Sequence, residues 1–234
     1  MLETLFLIEQ SMSYQHMLAA QTYFCLVLCF SIAGLDFLVC TLCVYLQIQY
    51  KILNYNVQNL NIGEIRTTHE EKLCHTKLIK YIKHHDFLLR YMDLFNRTFS
   101  HAFFFHVMYV LFSLCSELYM VSVATKASEI FRCMNYSFGI VVQMFILHCI
   151  PAQSLSNEAE QLPFAIYSSN WYARHSVNMR NSIRMMLRRS QAPVAVYGGK
   201  FYKINYETCM YAFKTSLSFY MSITTIGQKD KNTL

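Results

Sequence analysis

The chain has 234 residues, 54% of them apolar and only 15% charged, with a positive mean hydropathy. An ordinary soluble domain carries roughly a quarter charged residues, so this composition points instead to a polytopic membrane protein. The net charge of +6 does not mark a nucleic-acid binder, because the basic residues fall in two segments between apolar runs and not on an aromatic-interleaved patch.

No basic region precedes the first apolar stretch, and Glu3 and Glu9 stand where a signal peptide would carry Lys or Arg, so no cleaved signal is expected. Residues 1–18 hold only a short apolar piece at 5–8 and are too short to span. The first span is expected at 19–46, broken only by Asp36. An acid at that depth is costly in lipid, which turns it toward protein or water. Residues 47–97 change character: Lys51, Arg66, Lys72, Lys77, Lys80, Lys83, Arg90 and Arg97 are scattered through an amphipathic helical pattern. Two helices joined around Asn61, Ile62 and Gly63 fit it, the second feeding into the next span.

The second span is expected at 98–125, aromatic-rich at its start and with Glu117 near its far end, and a short connection follows at 126–132. The third, 133–151, should stop at Pro151, which has no N–H to continue a helix. Residues 152–205 are first acidic through Glu158 and Glu160. They then resume a helical pattern over 164–186 around Trp171, with Arg174, Arg180, Arg184, Arg188 and Arg189, and close on Pro193 and a Gly198-Gly199 turn. The fourth span, 206–227, carries a polar stripe before a short tail at 228–234. Thr208, Tyr211, Thr215, Ser218, Ser222 and Thr225 follow one another in steps of three, four, three, four and three, which places them on one helix face. Such a face points at another helix or at water.

The fold class that results is all-α, a polytopic membrane helix bundle of four transmembrane helices with long helical extensions. The positive-inside rule puts 47–97 and 152–205 in the cytoplasm and 1–18, 126–132 and 228–234 outside, Lys229 and Lys231 arguing weakly against an external tail. Of the nine cysteines, seven lie in apolar runs, where a thiol behaves as a small hydrophobe. Cys40 and Cys43 lack a second ligand pair, His84, His85, His101 and His106 are too spread to form a ligand set, and no H-E-x-x-H motif occurs. No metal, cofactor or catalytic residue is therefore expected. The sequon at Asn96 falls on the cytoplasmic side and the one at Asn135 hugs the membrane, so neither should be glycosylated.

The chain resembles the carboxyl-terminal half of an insect odorant receptor. The matching features come in order: Leu114-Cys115 with Tyr119; Gln143 and then His148-Cys149; Ala165-Ile166-Tyr167 and Trp171; Arg189-Ser190-Gln191-Ala192-Pro193; Gly198 to Phe201; and Lys214-Thr215-Ser216-Leu217-Ser218-Phe219. Leu217, where the family often has tyrosine, and Ile150-Pro151-Ala152, at the end of the sixth helix, depart from its pattern. A full member has three more spans upstream, so the four here would be the fourth to seventh of a seven-helix receptor, with Met1 an internal methionine or a partial start.

The resemblance implies a non-enzymatic subunit of an odorant-gated cation channel. It would form a heterotetramer with a shared co-receptor in the plasma membrane of olfactory sensory neurons. The basic segments would make the anchor between subunits, and the connection between the fourth and fifth helices, 47–97, lacks the long insertion of the co-receptor and so marks a ligand-tuning subunit. The stripe, with Ile226 beside Ser222 and Thr225 at the constriction, would line the pore, and Lys214 would snorkel toward the cytosol or pair with Glu207. The volatile odorant would meet Phe24, Cys29, Phe30, Phe112, Tyr119, Tyr136 and Phe138. A gustatory receptor and a transporter fragment are the alternatives. The closing motif speaks against the first, and the lack of visible inverted repeats against the second.

Overall fold

The computed structural model describes residues 2–60, 62, 67–173 and 176–232, with side chains for 14–60, 62, 67–172, 176–222 and 225. Asn61, Gly63, Arg66 and Arg174 of the basic segments, and the side chain of Ile226, lie outside the described residues. The described chain is helical apart from one two-stranded hairpin, and it divides into two compact units, Met1–Thr41 and Leu42–Leu234.

The first unit is the amino-terminal part of α1 (Leu2–Gln58). Leu18, Phe24, Leu26, Val27, Phe30 and Ile32 are all exposed, pointing around the whole helix, the pattern of a segment whose solvent is lipid. Thr22 and Ser31 donate their hydroxyls at 2.8 Å to the carbonyls of Leu18 and Val27, so their protons are satisfied within the helix. Asp36 is buried, at 7% exposure, as the cost of an acid in lipid requires. The helix already runs from Leu2, so residues 1–18 are not a separate element. No glycine or proline precedes Gly34 to break it.

In the second unit the rest of α1 buries Cys43, Leu46, Tyr50, Leu53, Asn54 and Val57, a stripe at helical spacing. α2 (Thr68–Val123) opens with a capping box in which the Glu70 N–H donates to the Thr67 hydroxyl and the Thr67 N–H to the Glu70 carboxylate, both at 3.2 Å. With no glycine or proline in 56 residues, nothing stops it. Cys74, Leu78, Leu88, Met92, Phe95, Phe103, Val107, Val110 and Leu114 form its buried line.

α3 (Ala127–Gln143) turns back within three residues. Contrary to expectation, Pro151 does not end this helix. Residues Met144–Cys149 widen into a π-helix, in which the Ile150 N–H reaches the Phe145 carbonyl five residues back, and α4 (Ile150–Glu160) continues with Pro151 in its first turn. There the missing N–H of proline costs least, and the wider turn relieves the crowding its ring causes.

The helix expected over 164–186 is broken in two. α5 (Leu162–Ser168) ends at Asn170, whose φ of 54° a helix does not admit, and Trp171–Ala173 form a 3-10 turn before α6 (Val177–Ser190). A lobe results in which Leu155, Leu162, Ile166, Met179, Ile183 and Met186 are 2% exposed or less. The Asn54 amide of α1 donates to the Glu158 carbonyl at 2.8 Å, and Arg189 of α6 donates to Asp86 of α2 at 2.6 Å. The strands β1 (Tyr197–Gly198) and β2 (Tyr202–Lys203) pair antiparallel and lead into α7 (Tyr206–Asn232).

Among the described residues three stretches are long and apolar enough to cross a membrane: Tyr14–Gln58, Thr68–Val123 and Ala127–Ser168. α7, with 27 residues, has the length, about 40 Å, but its hydroxyls with Glu207 and Lys214 keep it below the apolarity of the other three.

Candidate pore face and apolar cavity

α7 starts at a cap that the sequence supplies. Asn205 accepts the Thr208 N–H on its side-chain oxygen at 2.8 Å, the usual work of an N-cap asparagine. The Thr208 hydroxyl donates to the Lys203 carbonyl, so Thr208 belongs to the cap and not to the open stripe. Tyr206 stacks on Phe145 of the π-helix, ring centres 5.6 Å apart.

Beyond the cap, α7 has three faces. Cys209, Ala212 and Ser216 are buried, and α7 packs with them against α2 and the π-helix. Small residues at such a contact let helix axes approach closely. The Ser216 hydroxyl is turned back to the Ala212 carbonyl at 3.0 Å. About a third of a turn away lie Tyr211, Ser218, Ser222 and Thr225, all exposed, with Thr215 half-buried at the edge. The stripe is thus one face, as its spacing predicts, and four of its residues are exposed. Ser222 and Thr225 donate to the carbonyls of Ser218 and Met221 at 3.0 and 2.7 Å. With those protons spent inside the helix, Ser222 and Thr225 present oxygen lone pairs outward, a surface suited to a passing cation. The third face is apolar: Met210, Leu217 and Met221 are exposed. Lys214 is exposed between the apolar and hydroxyl faces, and among the described residues it makes no ion pair, with Glu207 or any other acid.

The residues expected to meet an odorant divide between the two units. Phe24, Cys29 and Phe30 are exposed on the first unit. Phe112 at 77% exposure points away from the second unit, and Tyr119 is exposed near the end of α2. Tyr136 shares a hydroxyl contact of 3.1 Å with Tyr109. Phe138 lines a cavity among the described residues. That cavity, about 370 Å³, lies between α2, α3 and α7, walled by Leu114, Leu118, Met134, Val141, Phe213 and Leu217, with Ser137 and Ser216 as its hydroxyls. A second space of about 230 Å³ shares Leu114, Val141 and Phe213 with it. Size and lining suit a small apolar molecule held by one or two polar contacts. Its walls come from helices far apart in sequence, so no local motif announces it.

Known proteins bear on this chain in three ways. The family model described as 7tm Odorant receptor matches residues 1–217. Odorant receptor 19a of Drosophila melanogaster is 28% identical over 157 residues, 67% of this chain and 40% of that one. Odorant receptor 10 of Aedes albopictus is 23% identical over 173 residues, 74% of this chain and 45% of that one. Among solved structures, the insect olfactory receptor OR5 from Machilis hrabei, in complex with eugenol, superposes with a TM-score of 0.70 at 19% identity, covering 82% of this chain and 47% of that one. The chain spans less than half the length of these relatives, and the structural likeness carries the fold. It is a multi-pass, all-α membrane protein, and with the family model matching nearly its whole length, the chain belongs to the 7tm odorant receptor family.

Proposed function

We propose that the chain acts as the ligand-tuning subunit of an odorant-gated, non-selective cation channel. It would assemble with a shared co-receptor as a heterotetramer in the plasma membrane of olfactory sensory neurons. The observation that carries this reading is the α7 face of Tyr211, Ser218, Ser222 and Thr225, all four of them exposed. A row of exposed hydroxyl side chains fits a shared central pore, weak enough for a cation to pass without being held. The basic stretches 47–97 and 152–205 would be the cytoplasmic anchor, and 1–18, 126–132 and 228–234 would face outside. Membership of a receptor family, not an enzyme family, accords with this.

The odorant would be a small volatile molecule, and we place it in the cavity that Phe138 lines. A ligand there touches Phe213, Ser216 and Leu217 of α7 directly, so it would favour one helix arrangement by its difference in affinity for the two. The test is current from cells expressing the longest form the gene encodes together with a co-receptor. Odorant-evoked cation current with the co-receptor and none without it is expected. Saturable, substrate-limited flux without it would make the chain a transporter. If replacing Ser222 by valine left conductance and ion preference untouched where every subunit carries the change, the stripe would be a packing face.

A further inference from the structure

The turn before α7 is fastened to α2 by hydrogen bonds from one line of residues, 96, 100 and 103, at helical steps of four and three. The Asn96 side chain donates through Nδ2 to the Ala195 carbonyl at 3.0 Å and accepts the Tyr197 N–H on Oδ1 at 3.0 Å. One turn on, the Gly199 N–H donates to the Ser100 carbonyl at 2.8 Å. Nearly one turn further, the Tyr202 hydroxyl donates to the Phe103 carbonyl at 3.1 Å. Burial pushes the Tyr202 phenol up to about 12, so it stays protonated and keeps donating.

Asn96 thus does for residues 195–197 what a neighbouring strand would do, offering one donor and one acceptor on a rigid plane. Aspartate would face the Ala195 carbonyl with an acceptor, and alanine would offer nothing. The segment it holds is stiff from end to end. The turn closes with the Phe201 N–H on the Gly198 carbonyl at 3.1 Å, and the Ile204 N–H donates to the Val196 carbonyl at 2.9 Å. Gly199 and Lys200 both take positive φ, 59° and 64°. A Cβ at Gly198 would come within 2.5 Å of the Tyr202 ring, and one at Gly199 within 2.9 Å of the Phe104 ring. Asn205 then caps α7. No slack lies between Asn96 and the first turn of α7.

We propose that Asn96 is a positioning residue for gating: it couples the position of α2 to the first turn of α7 and so sets the balance between closed and open channel. This rests on the channel reading above. It also gives the Asn96-Arg97-Thr98 sequon a physical reason to stay bare, because both amide atoms are already in use.

The test compares Asn96→Ala, Asn96→Asp and Asn96→Gln in the complex with a co-receptor. It reads half-maximal odorant concentration, basal current, surface amount and amide hydrogen exchange at Tyr197 and Gly199. Losing one or two hydrogen bonds should shift the half-maximal concentration by about tenfold for Asn96→Ala and Asn96→Asp. Both should also change basal current and speed exchange at Tyr197, while Asn96→Gln restores part of each. Faster exchange with unchanged concentration dependence and basal current would reduce the clamp to a structural role. Unchanged exchange would mean there is no clamp. Should the Asn96 variants fail to reach the surface, Tyr202→Phe removes one bond of the same clamp and should shift the response in the same direction by a smaller factor. If the unaltered protein gives no odorant current at all, the channel reading fails, and the exchange measurement still decides the clamp.

Discussion

Two regions of this chain share an apolar composition and use it in opposite ways. In the lobe of α4, α5 and α6 with the start of α2, side chains such as Leu155, Leu162 and Ile166 are hidden, at 2% exposure or less. Along the middle of α1, the far half of α2 and the start of α3, Phe30, Phe105, Phe112 and Phe131 stand 68–77% exposed. The lobe solves its solvent problem within one chain, as a soluble core does, while the exposed region leaves it to lipid or other subunits. Substitutions should therefore weigh differently in the two regions.

The largest effect belongs to the lobe. Leu155→Ala leaves a cavity in a closed core and should cost about 2–5 kcal/mol in thermal unfolding of the detergent-solubilised protein. Phe112→Ala should stay within about 0.5 kcal/mol. Equal losses would mean that the exposed face is a core of some other packing. Next comes the hairpin, where Gly199→Ala meets both a positive φ and the Phe104 ring, and about 1–2 kcal/mol of destabilisation is expected in the same measurement. Phe138→Trp takes up space in the α7 cavity. It should raise the half-maximal odorant concentration by about tenfold with little change in unfolding, an effect the size of one misplaced group in an apolar pocket. The smallest effect is Arg189→Gln. Its ion pair with Asp86 has side chains 58% and 27% exposed, and the loss should fade on raising salt in the unfolding assay.

The parts of this molecule that repeat along one helix were legible from residues alone. The steps of three and four from Thr208 to Thr225 describe a real face, and Asp36 is buried as the cost of its charge in lipid demands. What depends on neighbours was hidden. Thr208 leaves the stripe because its hydroxyl serves the turn at Lys203, and Pro151 passes for a stop because a π-turn ahead of it has no sequence signature. Asn96 reads as a sequon until residues 195–197 are laid beside it. Its one visible signal was a lone amide on the same line as Ser100 and Phe103. The cavity needs three helices at once, and of the residues expected at an odorant site Phe138 lines it.

Accessibility of α7 from water tests the central claim most directly. Ser218→Cys and Ser222→Cys on the hydroxyl face, and Met210→Cys and Met221→Cys on the apolar face, would each be exposed to a cationic, membrane-impermeant thiol reagent during odorant-evoked current, with the unsubstituted receptor as reference. If α7 lines the pore, the two serine positions react and current falls, while the two methionine positions do not change it. Equal reaction on both faces, or block from the methionine positions alone, would contradict the account.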